Sequence, residues 1–250
     1  DKAFVFLGLH GGIGEDGTIQ NKLDEAKLLY NGSDAKASSL SMNKYETGRI
    51  IEKMEDPSIT SLPKIRFSLT DFKDCKTEDY EKFWNDATKT LSSLSFIIKP
   101  EADGSSAGAV RIFGHNDLQT YIDLLNDNAP YIPAYTFKNQ KDIVEMPSNK
   151  FQIFMLEPFI ETDKIVIKNE KMEYNKRSGW IELTAGVIEK DGEYHSFNPS
   201  ITIAEGEVLT VEEKFQGGTG VNITPPPLEI VSKQMLENTK LAVERAAKAL

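Results

Sequence analysis

One glycine-rich stretch of the chain has the residue types that bind phosphate. Residues 97–112 read IIKPEADGSSAGAVRI, in which Lys99 ends an apolar run and Ser105 and Ser106 lie between two glycines. Glycines let the backbone fold over an anion, and the serine hydroxyls and backbone amides can donate to it. The pattern is neither a P-loop nor the kinase GxGxxG motif. A flexible hairpin tip is therefore the alternative interpretation.

A second stretch, HGGIGEDGTIQ, begins at His10 and joins a predicted strand to a predicted helix. In α/β layers, ligands bind at the carboxyl ends of strands, where glycines allow close approach to the backbone. His10 can polarise a carboxylate, and Glu15 can bind an ammonium group. The alternative is that Glu15 and Asp16 only favour the N-terminus of the helix, as acidic residues do.

Two lysines and one strand end complete the set of candidate residues. Lys44 lies in SMNKYETG, and Lys214 precedes the glycines of VEEKFQGGTG, a loop that can close over a site. Solvated surface charges are the alternative for both. The strand end LEPFI can present a carboxylate, a carbonyl and an amide to a flat base, although an ordinary strand end would look the same; its residues are Glu157, Pro158, Phe159 and Ile160. Together, the three lysines and two glycine-rich loops suggest a polyphosphate clamp.

The composition limits the classes of protein to which the chain can belong. Its 250 residues are 39% hydrophobic and 27% charged, with a net charge of -10. These values are typical of a globular protein and argue against one that coats nucleic acid or an anionic membrane. The single cysteine, Cys75, excludes an intramolecular disulfide framework and fits a reducing compartment. No apolar run approaches the roughly 18 to 20 residues that a membrane span needs.

Hydrophobic periodicity predicts an α+β architecture that positions these residues. Strands are predicted at AFVFLGL, IRFSL, SFIIKP, AGAVRIF and FQIFMLEPFI, followed by several strands that include a hairpin at KDGE. Helices are predicted after Gly17, over 37–54, over 78–91, at DLQTYIDLLNDN and over the last twenty or so residues. The aromatic residues of 78–91 are interpreted as core rather than as a ligand cage.

In this order, the segments resemble the D-alanine:D-alanine ligase family of the ATP-grasp superfamily. HGGIGEDGTIQ is similar to the family's HGxxGEDGxxQG, YNGSDAKASSLSMNKYETG to YxGSxxxASxxxMDKxxTK, and KPEADGSSAGAVRI to KPxxxGSSxGxxxV. LEPFI lies where the family has its adenine hinge. IELTAGVIE resembles ExTVxVL, and EEKFQGGTGVNITPP resembles AKYxxxxTxxxxPA.

The resemblance implies that ATP phosphorylates the carboxylate of one D-alanine and that the amine of a second attacks the acyl phosphate, in peptidoglycan precursor synthesis. It implies ATP and Mg²⁺ as cofactors, a cytoplasmic location and a homodimer. The implied ATP-binding residues are Lys44, Lys99, Ser106, Glu157, Pro158, Phe159, Ile160, Glu182 and Lys214. The implied substrate residues are His10, Glu15, Ser105 and Phe215.

Several positions depart from the family pattern. Asn43 stands where the family has aspartate, Asn21 replaces a glycine, and Gly48 replaces a lysine. Phe215 replaces a tyrosine whose hydroxyl, in the family, bonds with the substrate-facing serine. A D-lactate acceptor in place of a second D-alanine is therefore an alternative. Other ATP-grasp carboxylate ligases and a non-catalytic nucleotide-binding module are further alternatives.

The resemblance also predicts how the chain divides into domains. We expect a remnant of an N-terminal α/β domain over 1–36, a central ATP-binding subdomain over 37–160, and the first part of a C-terminal ATP-grasp subdomain over 161–250. About 161–177 would be an insertion. The family's segment with the Mg²⁺ ligands would follow Leu250, so we expect a partial ATP-grasp fold that binds nucleotide weakly and does not ligate alone. A degenerate relative is the alternative.

Overall fold

The computed structural model describes residues 3–104, 106–147, 152–168, 171–203 and 221–250. The helices are α1 (Thr18–Glu25), α2 (Ala35–Met42), α3 (Lys44–Lys53), α4 (Thr77–Leu91), α5 (His115–Asn126) and α6 (Lys233–Ala249), with 3-10 turns at Gly12–Gly14 and Leu69–Phe72. The strands are β1 (Phe4–Val5), β2 (Leu29–Tyr30), β3 (Ile65–Ser68), β4 (Phe96–Pro100), β5 (Val110–Ile112), β6 (Tyr131–Ile132), β7 (Val144–Glu145), β8 (Ile153–Pro158), β9 (Lys164–Lys168), β10 (Lys171–Asn175), β11 (Val187–Lys190), β12 (Glu193–Ser196), β13 (Ile201–Ile203) and β14 (Val221–Ile223). The mixture of helices and sheets agrees with the predicted class.

The chain forms two compact units. The first comprises Asp1–Lys53 and Ser61–Pro158, and the second comprises Met54–Thr60 and Phe159–Ala249. The predicted division into 1–36, 37–160 and 161–250 stays a prediction.

A four-stranded antiparallel sheet in the order β3-β8-β4-β5 organises the first unit. Side chains alternate between its two faces along each strand, because the strand period is two residues. One face is apolar and packs against α4 and α5, and its members include Phe67, Phe96, Ile98, Phe154 and Leu156. The other face carries charged residues, so the sheet separates the core from a polar surface.

The aromatic residues of α4 lie in this core, as their helical spacing predicts. Tyr80, Trp84, Ala87 and Leu91 are buried, and the indole of Trp84 meets the ring of Phe96 edge to face with centroids 4.9 Å apart. Such rings bury large apolar areas and stabilise the packing of a helix on a sheet. The interpretation of these side chains as core is confirmed.

The N-terminal run differs from its prediction as a buried strand. β1 covers only Phe4–Val5 and pairs in parallel with β2, and no further strand adjoins it among the described residues. Phe4 is 61% exposed and Phe6 is 79% exposed. A strand with one neighbour leaves its other edge and both faces open, so the prediction of burial was wrong. The order strand, loop, helix is confirmed, because α1 connects β1 to β2.

The helix predicted over 37–54 is two helices. Asn43 has extended backbone angles, with φ -86° and ψ 98°, and separates α2 from α3. It forms an isolated antiparallel bridge with Ala102, and its side-chain Oδ1 accepts a hydrogen bond from the amide of Glu46 at 2.9 Å. A side-chain oxygen in this position caps a helix N-terminus. Asn43 therefore starts α3 at the place where the family pattern has aspartate.

The second unit consists largely of β-hairpins with one long helix. The KDGE hairpin is confirmed: β11 pairs with β12, and the turn residues Asp191 and Gly192 have φ of 55° and 80°, as a tight hairpin turn requires. Glu244 of α6 accepts the amide of Ser196 at 2.8 Å, which joins the helix to the same hairpin. A separate apolar cluster includes Ile201, Val231 and Leu236.

Two paired strands and one buried carboxylate are described within the segment predicted as an insertion, 161–177. β9 pairs with β10, and at the base of this strand pair the buried Asp163 accepts the amides of Arg177, Ser178 and Gly179 at 2.7 to 2.8 Å. The Tyr174 hydroxyl donates to the same carboxylate at 2.6 Å. That hydrogen bond, with those of the three amides, holds the pKa of Asp163 well below its usual value despite burial.

We predict that Asp163→Asn loosens the base of this strand pair in a pH-dependent way. The lowered folded-state pKa means that the carboxylate stabilises the unit above its ordinary pKa of about 4 and loses this effect as the pH falls further. Amide hydrogen exchange at Arg177, Ser178 and Gly179 should be faster in the variant at neutral pH. The difference in protection should shrink steadily below about pH 4.

Asp191→Asn is the matched control, because Asp191 is exposed in the β11–β12 turn and asparagine also adopts its positive φ. Equal protection of the three amides in Asp163→Asn and Asp191→Asn at neutral pH would contradict this account of the base of the strand pair.

Candidate active site

The polar face of the four-stranded sheet carries a cluster of opposite charges. Register places Ile97 opposite Glu157 and Lys99 opposite Met155, so Lys99 and Glu157 are diagonal neighbours on one face. The ammonium of Lys99 contacts Oε2 of Glu157. The ammonium of Lys64 lies 3.6 Å from the other oxygen, Oε1. Two predicted nucleotide-binding residues, Lys99 and Glu157, are therefore brought together.

Lys64 is the member of this cluster that the sequence analysis missed. Its side chain is 7% exposed, against 14% for Glu157 and 22% for Lys99. The signal was present in the alternation of LPKIRFSL, which places Lys64 and Arg66 on one face of a strand and Ile65 and Phe67 on the other. Arg66 contacts the buried carboxylate of Glu101 with an N···O distance of 3.0 Å.

The serine-glycine loop after β4 is anchored at both of its ends. The amide of Glu101 donates to the carbonyl of Ile153 at 3.2 Å, and the amide of Gly108 donates to the carbonyl of Glu145 at 2.8 Å. The buried Tyr121 hydroxyl donates to the carbonyl of Gly108 at 2.7 Å. Burial raises the pKa of this phenol, so Tyr121 is a hydrogen-bond donor throughout the physiological range. These bonds distinguish the loop from an unattached hairpin tip.

Lys44 meets this loop from the start of α3. Its backbone amide donates to the carbonyl of Glu101 at 3.0 Å, and its ammonium donates to the carbonyl of Asp103. The same loop begins directly after Lys99 and Pro100. Ser106, within the loop, has a positive φ of 60°. Two predicted lysines therefore lie beside the loop: Lys99, on the strand that precedes it, and Lys44, on a helix that is distant in sequence.

A cleft of about 440 Å³ lies between this loop and the glycine-rich loop that follows β1. Its lining residues come from four separate segments of the first unit and are mainly polar. They are Leu7, Leu9, Gly14, Glu15, Gln20, Asn31, Gly32, Ser33, Ser38, Ser41, Met42, Lys44, Asp103 and Gly104. Glu15 and Lys44, which the sequence analysis assigned to different ligands, therefore line one cleft.

The residues around Glu15 have separate roles in this arrangement. The Nδ1 atom of the exposed His10 lies 3.6 Å from Oε1 of Glu15. Asp16 accepts the amide of Thr18 at 2.8 Å, so the helix-start interpretation holds for Asp16. Gln20 donates to the carbonyl of Gly14 at 2.9 Å, and its buried Oε1 has no hydrogen-bond partner among the described residues. Gln20 therefore anchors the glycine-rich loop at Gly14, and its side-chain oxygen is a hydrogen-bond acceptor without a described partner beside the cleft.

The remaining predicted residues are placed only in part. Glu157 and Pro158 end β8 in the first unit, and Phe159 and Ile160 continue the chain in the second. Glu182 is exposed in the second unit and lies outside the named strands, whereas we expected it on one. Its neighbours Ile181 and Leu183 pack against the apolar cluster, which leaves Glu182 on the opposite side.

Three predicted residues, Ser105, Lys214 and Phe215, lie outside the described residues. Within the described ranges, no three His, Cys, Asp or Glu side chains come together in a way that could hold a metal ion. The described carboxylates thus do not form a Mg²⁺ site by themselves. Among the helices that the structure describes, none is both long and apolar enough to cross a membrane.

The curated proteins that align with the chain include two from bacteria that illustrate the match. It is 28% identical over 244 residues to the D-alanine–D-alanine ligase of Leptospira biflexa, a match that covers 94% of this chain and 54% of the relative. It is 39% identical over 110 residues to the D-alanine–D-alanine ligase of Streptococcus uberis, which covers 43% of this chain and 28% of the relative. No family model matches the chain.

Solved structures of similar fold come from the same group of enzymes. The D-alanine–D-alanine ligase from Coxiella burnetii matches with a TM-score of 0.60 at 16% identity, over 98% of this chain and 51% of that one. The VanG D-Ala:D-Ser ligase from Enterococcus faecalis matches with a TM-score of 0.62 at 17% identity, over 98% and 55%. The chain thus spans about half the length of several of the proteins that it resembles. The fold and the curated relatives agree with the resemblance read from the motifs: over most of its length the chain is similar to D-alanine–D-alanine ligases and shares their fold.

Proposed function

We propose that the protein joins two D-amino acids, the first of them D-alanine, in an ATP-dependent reaction that proceeds through an acyl phosphate. The observation that carries this proposal is the cleft that Glu15, Lys44 and the loop at Asp103 and Gly104 line together. The curated relatives named D-alanine–D-alanine ligase support it. Peptidoglycan precursor synthesis is the process that such a dipeptide serves.

The charges of the cleft suit a small zwitterion. Glu15 can bind the ammonium of the first amino acid, with His10 at 3.6 Å holding the carboxylate in place. Lys44 can bind the carboxylate end, which is also the end that receives the phosphoryl group. An ammonium donor at that end stabilises both the carboxylate and the phosphate that replaces its charge. Lys44 can therefore contact both the amino-acid substrate and the phosphate of the nucleotide.

The polar face of the sheet suits the phosphates of ATP. Lys99 is the most exposed cation of the Lys64–Glu157–Lys99 cluster and lies at the strand end from which the serine-glycine loop leaves. Ser106 and the backbone amides of that loop can donate to phosphate oxygens. We assign the base to the hinge residues Glu157, Pro158, Phe159 and Ile160, the ribose to Glu182 and a further phosphate contact to Lys214, as the family pattern implies.

The reaction needs electrostatic assistance and correct placement more than covalent participation by the protein. A carboxylate oxygen of the first amino acid attacks the γ-phosphorus, the bond to the bridging oxygen breaks, and ADP leaves. The amine of the second amino acid then attacks the acyl carbonyl, phosphate leaves, and one proton is lost. Lysine ammonium groups offset the negative charge that builds up between the reactants, which is the main protein contribution in such transfers.

The identity of the acceptor substrate, the oligomeric state and the cellular location are inferred from the family resemblance alone. A D-lactate acceptor depends on Phe215, which lies outside the described residues, and the fold neighbours include a ligase that uses D-serine. A homodimer and a cytoplasmic location are part of the proposal on the same ground. A nucleotide-binding module without catalysis is the second candidate, and an assay of ADP release separates it from the ligase.

The test is an ADP-release assay on the complete reading frame that encodes these residues. With ATP, Mg²⁺ and D-alanine, we expect ADP and phosphate in equal amounts and a D-alanyl-D-alanine product identified by mass spectrometry. L-alanine is the control substrate and should give little turnover. ATP binding without ADP release under these conditions would contradict the ligase and favour the binding module. D-alanyl-D-lactate as the preferred product when both acceptors are offered would correct the acceptor.

A further inference from the structure

We propose that Lys64 is a positioning residue: it shares the Glu157 carboxylate with Lys99 and thereby frees Lys99 to bind an anionic ligand. The inference rests on the proposed function in one respect, because the anion is the phosphate chain of ATP. Lys64 lies in no recognised motif of the chain, and only the structure brings it to the site. Its proposed part is to set how readily Lys99 leaves its carboxylate partner.

The geometry gives each lysine its own oxygen of Glu157. Lys64 Nζ lies 3.6 Å from Oε1, and Lys99 Nζ contacts Oε2. Lys64 also donates to the hydroxyl of Ser61 at 2.5 Å. With 7% of its side chain exposed, Lys64 is nearly inaccessible to solvent, whereas Lys99 keeps 22% exposed. A ligand can therefore approach Lys99 while Lys64 stays behind it.

Helix α3 provides the space that holds the Lys64 ammonium. A Cβ atom added to Gly48 would overlap Lys64 Nζ and would lie 2.7 Å from the Ser61 hydroxyl oxygen. The same face of α3 presents Tyr45, whose ring lies 5.5 Å from the Arg66 guanidinium. Gly48 and Tyr45, about one helical turn apart, thus face two cations: Lys64, which directly precedes β3, and Arg66, which lies on it. Because Gly48 has no side chain, the ammonium of Lys64 fits between the helix and the sheet.

The charge balance explains why a second lysine matters. Two ammonium groups and one carboxylate give the cluster a formal charge of +1, which favours an anion near the more exposed cation. If Lys64 were neutral, Lys99 would be the remaining ion-pair partner of Glu157 among the described residues. Moving Lys99 to a phosphate would then leave a poorly solvated carboxylate without a counter-ion, which is costly. With Lys64 present, Glu157 keeps a partner when Lys99 moves.

The test compares ATP affinities of the chain by isothermal titration calorimetry. Lys64→Met replaces the cation with an apolar side chain of similar length, and Lys64→Gln keeps a donor for both Ser61 and Glu157 without the charge. For each variant we expect the Kd for ATP to rise about 10-fold, because Lys99 is released in a smaller fraction of molecules. Lys89→Met is the control, since Lys89 is 80% exposed on α4.

A second background separates positioning from a general structural role. In Glu157→Gln the acceptor that competes for Lys99 has lost its charge, so adding Lys64→Met should change the ATP affinity less than about 2-fold. An unchanged affinity in both single Lys64 variants, or an equal loss in the Glu157→Gln background, would overturn the inference alone. No ATP binding by the wild-type chain would overturn the nucleotide site of the proposed function and this inference with it.

Discussion

Replacing Lys99 with alanine is expected to weaken ATP binding about 100-fold and to change the stability of the fold only slightly. Lys99 lies at the exit of β4, next to the serine-glycine loop, with its ammonium on Glu157. Removing it deletes a cation that the proposed site directs at phosphate. The carboxylate left behind keeps Lys64 at 3.6 Å, so no buried charge loses its last partner. The fold should therefore tolerate the change far better than the ligand does.

The separation of affinity from stability is what makes Lys99→Ala informative. A cross-strand ion pair with no role in binding would give a small loss of stability and an unchanged Kd. Calorimetric titration with ATP and urea unfolding followed by Trp84 fluorescence, both in a Trp180→Phe background, measure the two quantities on one preparation, because Trp84 is buried in the same unit. Lys89→Ala, on an exposed lysine 4.0 Å from Asp86, is the control for loss of charge. Equal Kd values for these two variants would contradict the phosphate site.

The sheet of the first unit was largely predictable because its signal is local. Alternation in IRFSL follows from the two-residue period of a strand with one buried face, whereas SFIIKP and FQIFMLEP contain short apolar runs of strand length; these segments are β3, β4 and β8. The aromatic spacing of α4 was predictable for the same reason. These patterns depend on which residues face the core, and that information is contained in a few adjacent positions.

Lys64 was missed because its role depends on a pairing between distant segments. Its neighbour Glu157 lies on β8, and the contact exists because β3 and β8 are adjacent in the sheet. Strand order and register between segments so far apart follow from the whole fold rather than from local pattern. A lysine in an alternating strand is usually a solvated charge, so its residue type gave no reason to single it out.

The approach of Glu15 to Lys44 was predictable only through the resemblance to a family. The two residues belong to separate glycine-rich and helical segments, and spacing in sequence says nothing about their distance. The break between α2 and α3 was missed for a related reason, since it depends on the bridge from Asn43 to Ala102. In both cases a contact formed between segments overrides what each segment favours by itself.

Gly17→Ala is expected to destabilise the first unit by about 3 to 4 kcal/mol and to disrupt the cleft. Gly17 has a φ of 90°, in the left-handed region that L-residues with a Cβ avoid. A Cβ there would overlap the carbonyl oxygen of Ala35 and lie 3.3 Å from Cβ of Ser39. The strain of the backbone contributes about 1 to 2 kcal/mol, and the overlap contributes a similar amount or more, because α2 must move to relieve it.

Gly32→Ala provides a matched comparison for this prediction. Gly32 has nearly the same φ, 94°, and also lines the cleft, but a Cβ at Gly32 would meet no atom within 4 Å. Its cost should therefore be the backbone strain alone, about 1 to 2 kcal/mol. Urea unfolding followed through Trp84, in a Trp180→Phe background that removes the signal of the second unit, measures the difference. Equal losses in the two variants would show that α2 is not held against Gly17.

The effect of Gly17→Ala should also reach the cleft, because Gly17 packs against the start of α2 between the segments that carry Glu15 and Lys44. Glu15 and Gln20 lie on either side of Gly17. Ser38 and Ser41 lie on α2, which Ala35 begins, and Lys44 begins α3 directly after it. Moving α2 away from Gly17 would separate Glu15 from Lys44 and so separate the two ends that hold a zwitterion. In the complete enzyme, Gly17→Ala should therefore raise the KM for the first D-alanine more than Gly32→Ala does. An unchanged KM in a folded Gly17→Ala enzyme would argue against this cleft as the amino-acid site.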